Sequence, residues 1–296
     1  MERSIQMKRQ MVAGCLAVIL IAGTGMACES SNRILNSNQE FTGIAEADLS
    51  GDGRLPGLVA SGNIRNVSNT LDDDRITATG AVTAAADSGE LLLAYGADEP
   101  LAADTLLFLD VLAAACELPP AEEILLTAEM LSGTEDMYGA GLQAGDQITV
   151  QELIAAAVIG GYRDAWTVLN VLCGSDVPAD QDAGTVCDLV LRFRDAVNRD
   201  EFLQMSGEAW HELSWQRADG TKVSFGITSK SSSMAASVLP DSGCEEIGGI
   251  LIQTETDGLC WLLYYREADG AGKISAVAGL SDTVPLTEQM QILLDY

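Results

Sequence analysis

The sequence predicts an α+β domain in which an antiparallel sheet and a set of helices surround one buried central helix. Three observations lead there. The run "DTLLFLDVLAAACE" from Asp104 to Glu117 is apolar on nearly every face, so a helix formed by it must be enclosed by other elements. The last third alternates, in "GGILIQTETDGLCWLLYYREADGAGKISAVAGL", with Asp-Gly turns separating three strand-length segments. Amphipathic stretches lie between these regions, and 47% hydrophobic residues in a chain of 296 supply a core of ordinary size.

The chain opens with an export signal. Arg3, Lys8 and Arg9 precede the apolar "MVAGCLAVILIAGTGMA", and Gly25 and Ala27 suit a signal-peptidase cut before Cys28. Residues 1–27 therefore read as a signal peptide or a retained signal anchor. The protein is expected outside the cytoplasm, in the cell envelope, either membrane-tethered or secreted. Cleavage at that point makes Cys28 a lipidation candidate. Residues 28–78, rich in Ser, Asn, Gly and Asp, read as a tether of low order. Within it, "DLSGDGRL" has the spacing of half a calcium loop, but Val59 stands where the ligating Glu is needed, so a Gly-Asp turn is the better reading. The folded domain is expected over residues 79–296.

Charge and cysteine content exclude several functions. Sixteen Lys and Arg against 44 Asp and Glu give a formal charge of −28, which repels nucleic acid and anionic membrane surfaces. Membrane association is left to the N-terminal segment or a lipidated Cys28. There is no Cys-x-x-Cys pair and His211 is the only histidine, so neither a metal nor another cofactor is called for. A Cys173–Cys187 disulfide is one reading of the cysteines; buried free thiols are the preferred one.

Within the domain, "AVTAAADSGELLLAYGADEP" reads as two strands around a turn at Asp87-Ser88-Gly89. Asp104 is placed to cap the central helix. Further on, Thr149 and Glu152 have the spacing of a capping box, with Ile148 and Leu153 as its hydrophobic staple. Val150, Leu153, Ile154, Ala157 and Val158 then form one apolar helix face. "GTVCDLVLRFRDAVNRDEFL" is a second amphipathic helix, and "LTEQMQILLDY" closes the chain with another.

Several of these strings resemble one family. "AAADSGELLLAYGADEPL", "GLQAGDQITVQELIAAAV", "CDLVLRFRDAVNRDEFL" and the terminal "ILLDY" are similar, in this order, to stretches of the serine-type D-alanyl-D-alanine carboxypeptidases, the low-mass penicillin-binding proteins. The resemblance covers roughly residues 80–296 and implies a β-lactamase/DD-peptidase-like fold. It also implies three catalytic motifs. A Ser on the buried helix attacks, and a Lys one turn later serves as base, which explains the Ser-x-x-Lys spacing. Matching positions fall on Thr105 and Phe108. The Ser-x-Asn motif falls on Gly161, Tyr162 and Arg163, followed by a matching Asp164 and Ala165. The Lys-Thr-Gly motif falls near Leu251. None of the four lysines (Lys8, Lys222, Lys230, Lys273) has a Ser or Thr three residues before it or begins a Lys-Thr-Gly.

The expectation is a D-alanyl-D-alanine carboxypeptidase-like pseudoenzyme that acts as a binding or scaffold module, its partner a peptidoglycan stem peptide or an envelope protein. Tyr162 and Arg163 are the residues expected to line its cleft. Two alternatives stand beside it: a weak carboxypeptidase or acyl hydrolase using Thr105, and a purely structural surface protein with a filled cleft.

Overall fold

The computed structural model describes residues 74–134, 138–174 and 184–296, which fall within one compact unit. The signal segment, Cys28, the calcium-loop-like stretch and most of the tether lie outside the described residues. Residues 74–78, expected to belong to the tether, are part of the domain instead. Ile76 and Ala78 are buried. The Gln289 side chain accepts from the Thr77 amide at 2.8 Å and donates to the Arg75 carbonyl at 2.9 Å.

Strands β1 (Gly80–Ala85) and β2 (Leu91–Tyr95) form the expected hairpin. The three alternating segments become β9 (Glu245–Thr254), β10 (Gly258–Arg266) and β11 (Gly272–Leu280). These five strands make one antiparallel sheet in the order β2-β1-β11-β10-β9, so β9 is a free edge. Strand alternation sends every second side chain to the same face. Leu259, Trp261, Leu263 and Tyr265 therefore meet Val277 and Ala81 on one side. That side is covered by α6 (Lys230–Ser242) and α7 (Thr283–Leu294), through residues such as Met234, Val238, Leu286 and Met290. The other face, which includes Val82, Ile252, Leu262 and Ala276, is also buried. Here α4 (Val186–Val197) packs on β1 and β11, and the central helix α1 (Ala103–Ala115) on β9. Strand β3 (Pro100–Leu101), just before α1, pairs with β6 (Gly184–Thr185).

Helix α1 is enclosed on most of its surface but not all. Asp110 and Ala114 are exposed, and Asp110 pairs with Arg192 of α4. Its N-cap is Ala102 without a side-chain cap; Asp104 sits one step inside the first turn and caps nothing. The capping box expected at α2 (Val150–Val158) is half present. Thr149 accepts from the Glu152 amide at 3.3 Å, but the Glu152 carboxylate turns to the Ser214 amide at 3.0 Å. The reciprocal box stands at α4, where Thr185 and Asp188 cap each other. The stretch read as one helix from Gly184 is broken at Asn198–Arg199 into α4 and α5 (Asp200–Gly207).

Helix α3 (Arg163–Cys173) packs on α1 and α2, and ends at Gly174 in the left-handed conformation that glycine adopts most readily. A second sheet, β4-β5-β7-β8 (Glu123–Leu125, Gln147–Thr149, Trp210–Gln216, Lys222–Thr228), flanks these helices. Cys116, Cys173, Cys187, Cys244 and Cys260 are all free thiols, so Cys173 and Cys187 are not joined. Among the described residues, no helix is long and apolar enough to cross a membrane.

Candidate functional site

A cavity of about 520 Å³ opens where four elements converge: the first turns of α1, the α2–α3 junction, the start of α6, and the edge strand β9 with the turn after it. Each contributes side chains for a local reason. On α1, Asp104 and Phe108 lie one turn apart on the same helix face and both line the cavity. Thr105 lies about 100° round the helix from Asp104 and sits outside the lining. It is fully buried, its hydroxyl donating to Asp257 Oδ2 at 2.5 Å and lying 3.1 Å from the Thr254 hydroxyl. The same Asp257 oxygen accepts from the Ala102 amide at 2.8 Å. This cluster ties the start of α1 to the β9–β10 turn.

On β9, Leu251 and Gln253 face the cavity while Ile252 points into the core, as strand alternation requires. At the α2–α3 junction the chain turns through Gly160 and Gly161. Gly161 has φ of +65°, and a Cβ there would point into open space at the cavity wall. Gly160 is tight for a different reason, since a Cβ would strike the Tyr162 ring at 2.6 Å. Tyr162 does not itself line the cavity. Its ring packs against Tyr138 at 5.1 Å and Phe225 at 6.5 Å, and burial together with the neighbouring Tyr138 pushes its phenol up to about 12. Tyr138, 58% exposed, forms the cavity rim, with the Lys230 ammonium 5.1 Å above its ring.

Arg163 occupies the cavity's inner wall. Its guanidinium lies 4.6 Å from the Trp166 ring and 5.9 Å from that of Phe108, and those two rings stack at 5.5 Å. Burial lowers its pKa; the opposing, smaller effects come from the carboxylates of Asp104 and then Glu255. With a reference value above 12, it stays charged. Arg163 Nη1 and Asp104 Oδ1 are buried, and neither has a hydrogen-bond partner. The wall is held from behind by Asp164, whose carboxylate accepts from the amides of Ala140, Gly141 and Leu142 at 2.9 to 3.1 Å and from its own helix at Ala165. That fixes the loop carrying Tyr138.

Two hydroxyls on the cavity wall are engaged elsewhere. Ser231 Oγ accepts from Trp261 Nε1 at 2.8 Å, and the Thr254 hydroxyl accepts from the Asp257 amide at 3.2 Å. His211 is remote, between Glu208 and Glu152 at 3.1 and 3.4 Å. Of the positions matched to motifs in the sequence, Phe108, Gly161, Arg163 and Leu251 are brought to one cavity, and Thr105 is not. Sequence reasoning missed Asp104, Lys230 and Glu255 as cavity residues. Lys230 carried a faint signal, because it follows Ser229 in a helix-start pattern; Ser229 does cap α6.

An antiparallel five-stranded sheet with helices on both faces, a buried central helix, and a cleft between that helix and an edge strand together define the β-lactamase/DD-peptidase fold. Among solved structures, a serine-to-alanine mutant of the Streptomyces K15 DD-transpeptidase superposes with a TM-score of 0.63 at 14% identity, covering 75% of this chain and 97% of that one. The unmutated enzyme gives 0.60 with the same identity and coverage. A D-alanyl-D-alanine carboxypeptidase from Mycobacterium tuberculosis H37Rv gives 0.57 at 19% identity, covering 74% of this chain and 89% of that one. No family model and no curated protein matches the sequence.

Proposed function

We propose that this protein is an exported binding or scaffold module of the cell envelope, a DD-peptidase-fold pseudoenzyme whose cleft holds a ligand without hydrolysing it. One observation carries the reading: the cleft is open and charged, yet the α1 face that lines it offers Asp104 and Phe108 rather than a hydroxyl and an amine. Acyl transfer by this fold requires a nucleophile activated by a neighbouring base. Thr105, the hydroxyl nearest in sequence, is fully buried and hydrogen-bonded to Asp257, away from the cavity. Loss of a general base alone lowers rates by about 10² to 10⁴. The buried Phe108 ring, stacked on Trp166, occupies the face where an amine would be needed.

The cavity of about 520 Å³ speaks against a filled, purely structural cleft. Arg163 and Lys230 supply the cationic character that the overall charge of −28 did not promise. Together with the fold's likeness to an enzyme named as a D-alanyl-D-alanine carboxypeptidase, they favour an anionic peptide terminus of stem-peptide type as ligand. The test is to incubate the protein with a D-Ala-D-Ala-terminated pentapeptide. The expected outcome is a saturable shift of the Trp166 indole NMR signal with no D-alanine released. Release that scales with protein concentration would overturn the pseudoenzyme reading, and an unmoved spectrum would overturn the binding reading.

A further inference from the structure

We infer that Lys230, at the start of α6, is the residue that receives the ligand's terminal carboxylate, and that Arg163 on the inner wall is not. The inference rests on the binding reading above and assigns the carboxylate contact within that same cleft. Two cations line the cavity, and their surroundings differ. The Arg163 charge is already met by the Asp104 and Glu255 carboxylates, which act to hold its proton, and its guanidinium is packed against the Trp166 and Phe108 rings. Lys230 is exposed, with its ammonium over the exposed Tyr138 ring at 5.1 Å. Among the described residues, no carboxylate forms an ion pair with it, whereas Arg192, Arg194, Arg199, Arg217, Arg266 and Lys273 each sit against one. In a chain with 44 Asp and Glu, a cation kept clear of them at a cavity mouth has its charge available to an incoming anion.

Helix energetics do not account for a lysine at this position. Lys230 is the first residue of α6, where the helix dipole already places partial positive charge and favours acidic side chains. Helices α1 to α5 each carry an Asp or Glu in the first turn, and α6 carries none. The ammonium and the helix terminus therefore add their positive potential at the cavity mouth instead of cancelling. Gln253, exposed on β9 and lining the same cavity, makes no side-chain hydrogen bond to a described residue and offers a neutral amide donor to the same space. The inner wall is the poorer place for a carboxylate, because Asp104 and Glu255 would repel it there.

The test is isothermal titration of the full chain with a D-Ala-D-Ala-terminated pentapeptide and with the same peptide carrying a C-terminal amide. The net charge of −28 would by itself favour the amide, so a preference for the free acid needs a local cation. The acid is expected to bind about threefold to fivefold more tightly, the upper range for one ion pair at an exposed rim. Lys230→Gln is expected to bring the acid down to the affinity of the amide and to leave the amide where it was, and Lys230→Arg to keep the preference. Added salt is expected to weaken binding of the acid and not of the amide. Acid and amide binding equally well to the unmodified chain would overturn the assignment and leave the binding cleft standing. A preference that survives Lys230→Gln would also overturn it. If neither peptide binds, the binding reading falls and this inference with it. The comparison on the unmodified chain decides the first point even where a variant does not fold, and Lys230 is exposed, so replacing it leaves the core intact.

Discussion

Replacing Asp164 by Ala should both destabilise the domain and open its cleft. The carboxylate accepts three amides from the 140–142 loop and one from Ala165. A hydrogen bond to a charged acceptor contributes about 1.5 to 3 kcal/mol, and a buried donor left unpaired loses about 1 to 3 kcal/mol. Exposure decides how much is recovered from water. Gly141 is exposed and its amide can be rehydrated, Ala140 is half-buried, and Leu142 is buried and its amide cannot. The Leu142 bond and part of the Ala140 bond are then the main losses, giving a net of about 3 kcal/mol. For a domain of this size, that corresponds to a fall in Tm of roughly 6 to 12 °C. Urea melts followed by far-UV circular dichroism measure the first quantity, and exposure of Tyr138 to iodide quenching reports the loop. Asp164→Asn, whose single amide oxygen can accept two of the bonds, should lie between the two proteins. Gly139→Ala provides an independent approach to the same defect, because its Cβ would sit 2.6 Å from the Asp164 carboxylate. A loss below about 1 kcal/mol for Asp164→Ala would refute the idea that this carboxylate fastens the rim.

Phe108→Lys, which places an amine at the position the resemblance matches to the first motif, should destabilise by about 3 kcal/mol or more and confer no peptidase activity, because it sets a cation in place of a buried ring whose centre lies 5.9 Å from the Arg163 guanidinium; a stable, active variant in a D-alanine release assay would contradict this. Gly161→Ser, which places a hydroxyl at the position the resemblance matches to the second motif, should lose about 1 to 2 kcal/mol in a denaturant melt through its positive φ alone. Stability should rise on mild acidification. Burial raises the carboxyl pKa values of Asp110 and Glu246, so the folded state binds protons more tightly than the unfolded one, and its relative stability falls as pH climbs through the folded values. Relief of the −28 net charge acts in the same direction, as does added salt. Thermal melts taken upward from the ordinary carboxylate range, about pH 4, should give a falling Tm as pH climbs, and a Tm that rises over that interval would contradict this.

Much of the frame was legible because its signals are local. The β1–β2 turn, the Thr149 helix start and the Asp-Gly turns of the last three strands each depend on a few adjacent residues, and each appears where the pattern put it. The site was less legible, for a reason visible in α1. A helix that is apolar on nearly every face gives no amphipathic stripe from which to read its rotation. A one-residue difference in phase separates Thr105, tied to Asp257, from Asp104, facing the cavity. The Gly160–Arg163 turn was easier to place because the Thr149 helix start fixes the helix that leads into it. For Lys230 the sequence marked only the helix start after Ser229: it is 67 positions from Arg163 in sequence, and only tertiary packing of α6 brings both to one cavity. The single break between α4 and α5, at Asn198–Arg199, left no signal stronger than the polar pair itself.

Exposure to a β-lactam followed by intact-mass measurement tests the proposed absence of an activated nucleophile most directly, since the strained lactam carbonyl would acylate any activated hydroxyl within the cleft. With Thr105 buried on Asp257 and Asp104 and Phe108 facing the cleft, the protein should keep its unmodified mass after prolonged incubation with penicillin at ordinary labelling concentrations. A stable increase equal to the mass of the drug, mapped to Thr105 and abolished by Thr105→Ala, would contradict the proposed pseudoenzyme.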